Sequence, residues 1–255
     1  MRESPFWNFL GDIPTKQKLV FLFVLIIIML FITNIANWYT YSYKDTSVQD
    51  ILFEVLPDWS SVDVPIPNII TILQGLLIFS ARPFLKTVCQ IVFLISVLDI
   101  VRALTIVSTM LPLAKADMHS DRCLHTPQSF TETFVIVTTE GTCGDYIFSG
   151  HMVTSILLLL FTLQRSSSDL CKIFSFVCSL GMALMLIVLR WHYTDDVIIG
   201  VLIATLSFLV YVAYSKHEKW KNSWFYFEDK QTKQKKAGEK ISCITITHTQ
   251  NDIRF

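Results

Sequence analysis

The chain has 255 residues, 52% of them hydrophobic and only 16% charged, with a formal net charge of zero. Soluble domains carry about a quarter charged residues, so this balance points to a membrane protein. The neutral sum gives no reason to expect nucleic acid or an acidic partner, and six cysteines without a CxxC spacing argue against a structural zinc site.

Taken in chain order, residues 19–36, 84–111, 146–163, 170–189 and 197–214 read as membrane spans, and the shorter run 66–81 as a sixth. A span needs about 20 apolar residues, within a range of roughly 17–25. Several of these sit at the low end, which suits a thin membrane of the secretory pathway. The first run is long for a signal-peptide core of about 7–15 residues and has no small-residue cleavage site after it, so it reads as a retained helix. The expected organisation is a cytoplasmic N-terminus (1–18), a six-helix transmembrane catalytic domain (19–214) and a cytoplasmic lysine-rich tail (215–255), disordered or lying against anionic lipid.

Six spans put both termini on one side. That side then holds sixteen Lys and Arg, in the N-terminus, the turns carrying Arg82, Lys86, Arg165 and Lys172, and the tail. The other side holds Lys44, Lys115, Arg122 and Arg190, and Arg102 falls inside a span. The positive-inside rule therefore predicts cytoplasmic termini. The large outer connections, 37–65 and 112–145, contain Cys123 and Cys143 on the oxidising side, where a disulfide between them is an open option.

This orientation brings two polar motifs to the outer membrane face. One is CGDYIFSGH, residues 143–151, running into the fourth span; the other is RWHYTDD, residues 190–196, entering the sixth. His192 and Asp196 are four apart, a spacing that puts both on one face of a helix. A carboxylate beside an imidazole fixes its tautomer and favours the cation formed when the other nitrogen reacts. His192 is then a candidate nucleophile with Asp196 as its orienter, and His151 a candidate general acid and base.

Blander readings stand beside this one. A lone histidine at a helix end is commonly an interfacial polar residue, and an i,i+4 His–Asp pair commonly just supports a helix. A metal site formed by His151, His192 and Asp196 is another option, with nothing in the sequence naming the metal. Asp99 and Arg102 form an i,i+3 pair, either a neutralised structural pair or one that lets Arg102 hold a phosphate oxygen. Tyr146, Phe148, Trp191 and Tyr193 read as an interfacial belt, or as a cradle for a quaternary ammonium.

Together the two motifs resemble the sphingomyelin synthase (ceramide phosphotransferase) family, which carries C-G-D-x-x-x-S-G-H-T and H-Y-T/S-x-D-V. Leu56-Pro57-Asp58 is similar to the family's L-P-D, and the stretch from Arg102 through Thr109 to Pro112 to its R-x-x-T-x…T-x-L-P. The likeness covers roughly residues 50–215. Met152 stands where threonine is usual, and Ala81-Arg82-Pro83 where paired arginines are expected. With about eighteen residues before the first span, no sterile-alpha-motif domain is expected.

The resemblance implies an all-α integral membrane protein with six transmembrane helices, both termini cytoplasmic, related to the lipid phosphate phosphatase-like helical fold. It implies transfer of a phospho-alcohol headgroup, with phosphocholine favoured, from a glycerophospholipid to ceramide, releasing diacylglycerol. His151, His192 and Asp196 would be catalytic. Asp145, Tyr146, Phe148, Ser149, Arg102 and Tyr193 are candidate substrate contacts. No metal and no cofactor are expected. The partners implied are membrane lipids: ceramide, phosphatidylcholine or phosphatidylethanolamine, and diacylglycerol, with a homo-oligomer left open. The site would face the lumen or exterior, in Golgi or plasma membrane.

The rivals are a lipid phosphate phosphatase or phospholipase C-type hydrolase, and a non-catalytic lipid transporter or binder. The phosphatases resemble K-x6-R-P, P-S-G-H and S-R-x5-H-x3-D, whereas this chain has Gly75, Phe148 and Leu186 at the Lys, Pro and Arg positions. A clamp for a dianionic monoester is thus missing, which favours a singly charged phosphodiester.

Overall fold

The computed structural model describes residues 16–40, 50–62, 64–108, 129, 131–132 and 146–215. Asp145, Cys123, Cys143 and the lysine-rich tail therefore lie outside the described residues. The named regular elements among those described are all helical. They are α1 (Lys16–Thr40), α2 (Ile51–Val55), α3 (Ile66–Leu77), α4 (Phe84–Ser108), α5 (Gly150–Arg165), α6 (Asp169–Val188) and α7 (Thr194–Ser215), with a 3-10 turn (Ile78–Ser80) prolonging α3. In a bilayer each backbone N–H and C=O must find its partner within the segment, which makes the helix the default for an apolar run.

The helix α5 is the axis of the bundle, with α3, α4, α6 and α7 packed around it and α1 lying against α4. Leu157 and Phe161 on α5 have no exposed surface. Outward faces carry apolar side chains such as Phe23, Phe31, Leu104, Ile173 and Leu202. Those are surfaces that lipid solvates, as expected of an integral membrane protein.

Helices α1, α4, α6 and α7 are long and apolar enough to cross a membrane. The other two expected spans are shorter. Helix α5 has 16 residues, about 24 Å at 1.5 Å per residue, against a hydrocarbon core of about 30 Å. Neighbouring helices surround it, so lipid thickness does not set its length. Helix α3 has 12 residues, bounded by prolines at 65 and 67 and by Pro83 beyond the 3-10 turn.

One polar knot lies in this apolar interior. Gln74 on α3 donates to Ser179 Oγ (2.9 Å) and to the Ser175 carbonyl (3.1 Å) on α6. Ser155 Oγ on α5 donates to Gln74 Oε1 at 2.7 Å. All four side chains are buried, where an unbonded polar group costs a few kcal/mol. Three helices are thereby held in one relative register.

Candidate active site

The turn that carries His192 starts where α6 ends. Arg190 N donates to the Ile187 carbonyl (3.0 Å) and Trp191 N to the Leu186 carbonyl (3.1 Å), the paired bonds of a Schellman turn. Arg190 occupies its left-handed position with φ 58°, where glycine is usual. The chain then enters α7 at Thr194. His192 therefore sits in the turn before the helix, and not on a helix face as the i,i+4 spacing suggested. The two side chains still meet, because Asp196 in the first turn of α7 reaches back across the helix start. Its Oδ2 accepts from Tyr193 N (3.1 Å), the acidic half of a capping box. The same oxygen lies 3.1 Å from His192 Nδ1. Asp196 has no exposed surface and His192 is 7% exposed. With Nδ1 engaged, a reaction at His192 would use Nε2.

The second motif is tied to the first through the backbone. Ser149 caps α5, its hydroxyl accepting from Met152 N at 3.3 Å, and Ser149 N donates to the Asp196 carbonyl at 3.1 Å. Gly200 makes this approach feasible: a Cβ there would meet Met152 Cβ at 3.2 Å and the Ser149 carbonyl at 3.3 Å. His151, partly exposed in the first turn of α5, bonds Asn68 of α3, with Nε2 donating to Asn68 Oδ1 at 2.7 Å. Proton exchange at His151 would then use Nδ1. Trp191 lies edge-on to His151, centroids 5.9 Å apart. Among the described residues, no three His, Cys, Asp or Glu side chains converge as metal ligands.

The remaining sequence-derived candidates are distributed unevenly. Arg102 pairs with Asp99 at 3.7 Å, and its guanidinium also lies against Gly150, so close that a Cβ on Gly150 would displace it. A cation thus stands next to His151. Tyr146 and Tyr193 are buried, packed edge-to-face at 5.5 Å, and Tyr146 meets the His192 ring at 6.0 Å. Phe148 is buried in the main apolar core.

Asn68 and Asp50 at the site carried no signal in the sequence, and Arg190, within the second motif, was given no role of its own. Asp50 Oδ2 accepts from Thr194 N at 2.6 Å and Oδ1 from Thr194 Oγ1 at 2.7 Å. Arg190 Nη2 donates to the Phe53 (2.7 Å) and Leu56 (2.9 Å) carbonyls, and its Nε lies 3.9 Å from Asp58 of the L-P-D stretch.

Residues 142–213 match the PAP2 superfamily C-terminal model, a stretch that holds both histidine motifs. The chain is also 31% identical, over 223 residues, to a Caenorhabditis elegans protein provisionally named phosphatidylcholine:ceramide cholinephosphotransferase 3. The chain thus resembles a protein of the sphingomyelin synthase kind and carries a PAP2-type stretch in its C-terminal half. The similarity covers 77% of this chain and 63% of that relative, so the chain spans less than two thirds of the relative's length. The two histidines of the matched stretch are thus one member of a buried pair, His192–Asp196, and one hydrogen-bonded side chain, His151.

Proposed function

We propose that this protein transfers a phospho-alcohol headgroup from a glycerophospholipid to ceramide through an intermediate on His192. The observation that carries the reading is the buried His192–Asp196 pair, joined through Asp196 and Ser149 to the helix start that presents His151. Donor phosphorus is attacked by His192 Nε2 while Asp196 holds Nδ1. His151 Nδ1 gives a proton to the departing diacylglycerol oxygen. Ceramide then enters, His151 takes the proton of its primary hydroxyl, and that oxygen displaces Nε2 from phosphorus. Arg102 beside Gly150, with the two helix N-termini of α5 and α7, supplies positive potential for the diester. Ser149 shapes this helix start, Asp145 lies just before it in sequence, and Tyr146, Phe148 and Tyr193 pack behind the reacting groups.

Six spans with both termini cytoplasmic fit this scheme and put the site at the lumenal or exterior face of Golgi or plasma membrane. The domain limits are 1–18, 19–214 and 215–255. A single cytoplasmic end for Arg82 and Arg165 is supported by the bond from Arg82 N to the Arg165 carbonyl. Phosphocholine is the favoured headgroup, in line with the name of the nematode relative.

A phosphomonoesterase reading is disfavoured by the same bond. Arg82-Pro83, the one remnant of a phosphatase clamp, sits beside Arg165, fourteen residues along α5 from His151 and so about 21 Å away. The test uses membranes from cells lacking endogenous activity, fluorescent ceramide, and phosphatidylcholine, phosphatidylethanolamine and phosphatidylinositol offered separately. A phosphosphingolipid formed with one donor and absent in His192→Ala is the expected result. Full transfer by a normally folded His192→Ala protein would sink it.

A further inference from the structure

The segment from Asp50 to Trp59 is fastened onto the catalytic turn at three points. Asp50 is the N-cap of α2, accepting from Leu52 N at 2.9 Å, and the same carboxylate bonds the first residue of α7 through Thr194 N and Oγ1. At the other end, Trp59 N donates to the Val188 carbonyl at 3.0 Å. Between them Arg190 holds the Phe53 and Leu56 carbonyls, with its guanidinium 4.2 Å above the Phe53 ring.

From that ring the packing runs inward without a gap. Phe53 stacks on Tyr193 at 5.5 Å, Tyr193 meets Tyr146 at 5.5 Å, and Tyr146 meets His192. The segment contacts residues 190, 193 and 194 on both sides of the nucleophile in sequence, and His192 is nearly sealed. The backbone at residue 190 reinforces the point. Its φ of 58° would be relaxed with glycine, and a side chain in that region is strained. The arginine at this position is used for the strap.

Given the transfer reading above, on which this step rests, we infer that the strapped segment 50–59 decides which acceptor discharges the intermediate on His192. Either acceptor, a lipid alcohol or water, forms an oxygen–phosphorus bond as the phosphorus–Nε2 bond breaks. The acceptor's proton passes to His151 and the bonding pair returns to Nε2. The chemistry is the same for both, so the outcome depends on water reaching phosphorus. The aromatic wall of Phe53, Tyr193 and Tyr146 keeps it away, and Arg190 and Asp50 keep the wall in place. Both are positioning residues for specificity.

Arg190→Gly is the cleanest test, because it relaxes the left-handed turn while deleting the guanidinium. Full-length protein in liposomes of phosphatidylcholine labelled in its headgroup, with ceramide, yields labelled phosphosphingolipid and labelled free phosphocholine from one reaction. Arg190→Gly should raise the ratio of free headgroup to lipid product about tenfold. Asp50→Ala should move it the same way. An independent readout is the rate at which diethyl pyrocarbonate modifies His192, followed by peptide mass spectrometry, which should rise in both variants. Lys172→Ala, at the opposite end of the bundle, should leave ratio and rate as in the wild type. An unchanged ratio with an unchanged His192 modification rate in Arg190→Gly overturns the inference and leaves the transfer reading standing. Wild-type protein that forms neither labelled product overturns both.

Discussion

Replacing Asp196 by asparagine removes one buried negative charge and almost no volume. The amide oxygen can still accept from Tyr193 N and from His192 Nδ1, so the helix start should survive. What is lost is the attraction between a carboxylate and an imidazolium at 3.1 Å. At an effective dielectric of 20 that attraction is about 5 kcal/mol, which sets an upper limit near ten-thousandfold in rate. Downgrading a charge-assisted hydrogen bond to a neutral one removes about half its strength, which sets a lower limit near a hundredfold. The transfer rate of Asp196→Asn should therefore fall between these limits. Initial rates in proteoliposomes with fluorescent ceramide measure it, and quenched-flow samples should contain correspondingly less phosphorylated His192. An asparagine variant within tenfold of the wild-type rate would refute the assignment of Asp196 as the group that stabilises the His192 cation.

Two further substitutions probe the supports. Asn68→Leu deletes the acceptor that orients His151 and should cut turnover about tenfold or more, a part of what a general acid contributes, whereas Asn68→Asp keeps an oxygen there and should retain most activity; equal losses in both would show that orientation is not the role. Gln74→Leu leaves Ser155 and Ser179 without their partner and should destabilise the bundle by about 1–3 kcal/mol, read as a lower unfolding temperature in detergent, and an unchanged temperature would remove the knot from the account of helix register.

Much of this protein was legible in one dimension, for two reasons. A bilayer forces each apolar run to satisfy its own backbone, so the expected runs at 19–36, 84–111, 170–189 and 197–214 each correspond to a long helix in the structure. The pairing of His192 with Asp196 was readable because four residues separate them, and any local turn keeps such neighbours close. Even there the helix began two residues late, since the Schellman turn at Arg190 consumes residues that a spacing rule assigns to a helix.

What tertiary structure alone decided are contacts between residues far apart in sequence. Asn68 and His151 are 83 positions apart, Phe53 and Arg190 137, and Asp50 and Thr194 144. Asn68, Phe53 and Asp50 are ordinary polar or aromatic residues within their own stretches, with no periodicity or motif to mark them. They acquire roles because α3, α5 and α7 pack side by side with their N-termini at one level. That alignment comes from the buried Gln74 knot and the close approach at Gly200. Chemistry that fits within one turn of chain can be read from sequence. The residues packed around that turn come from elsewhere in the bundle, and only packing brings them together.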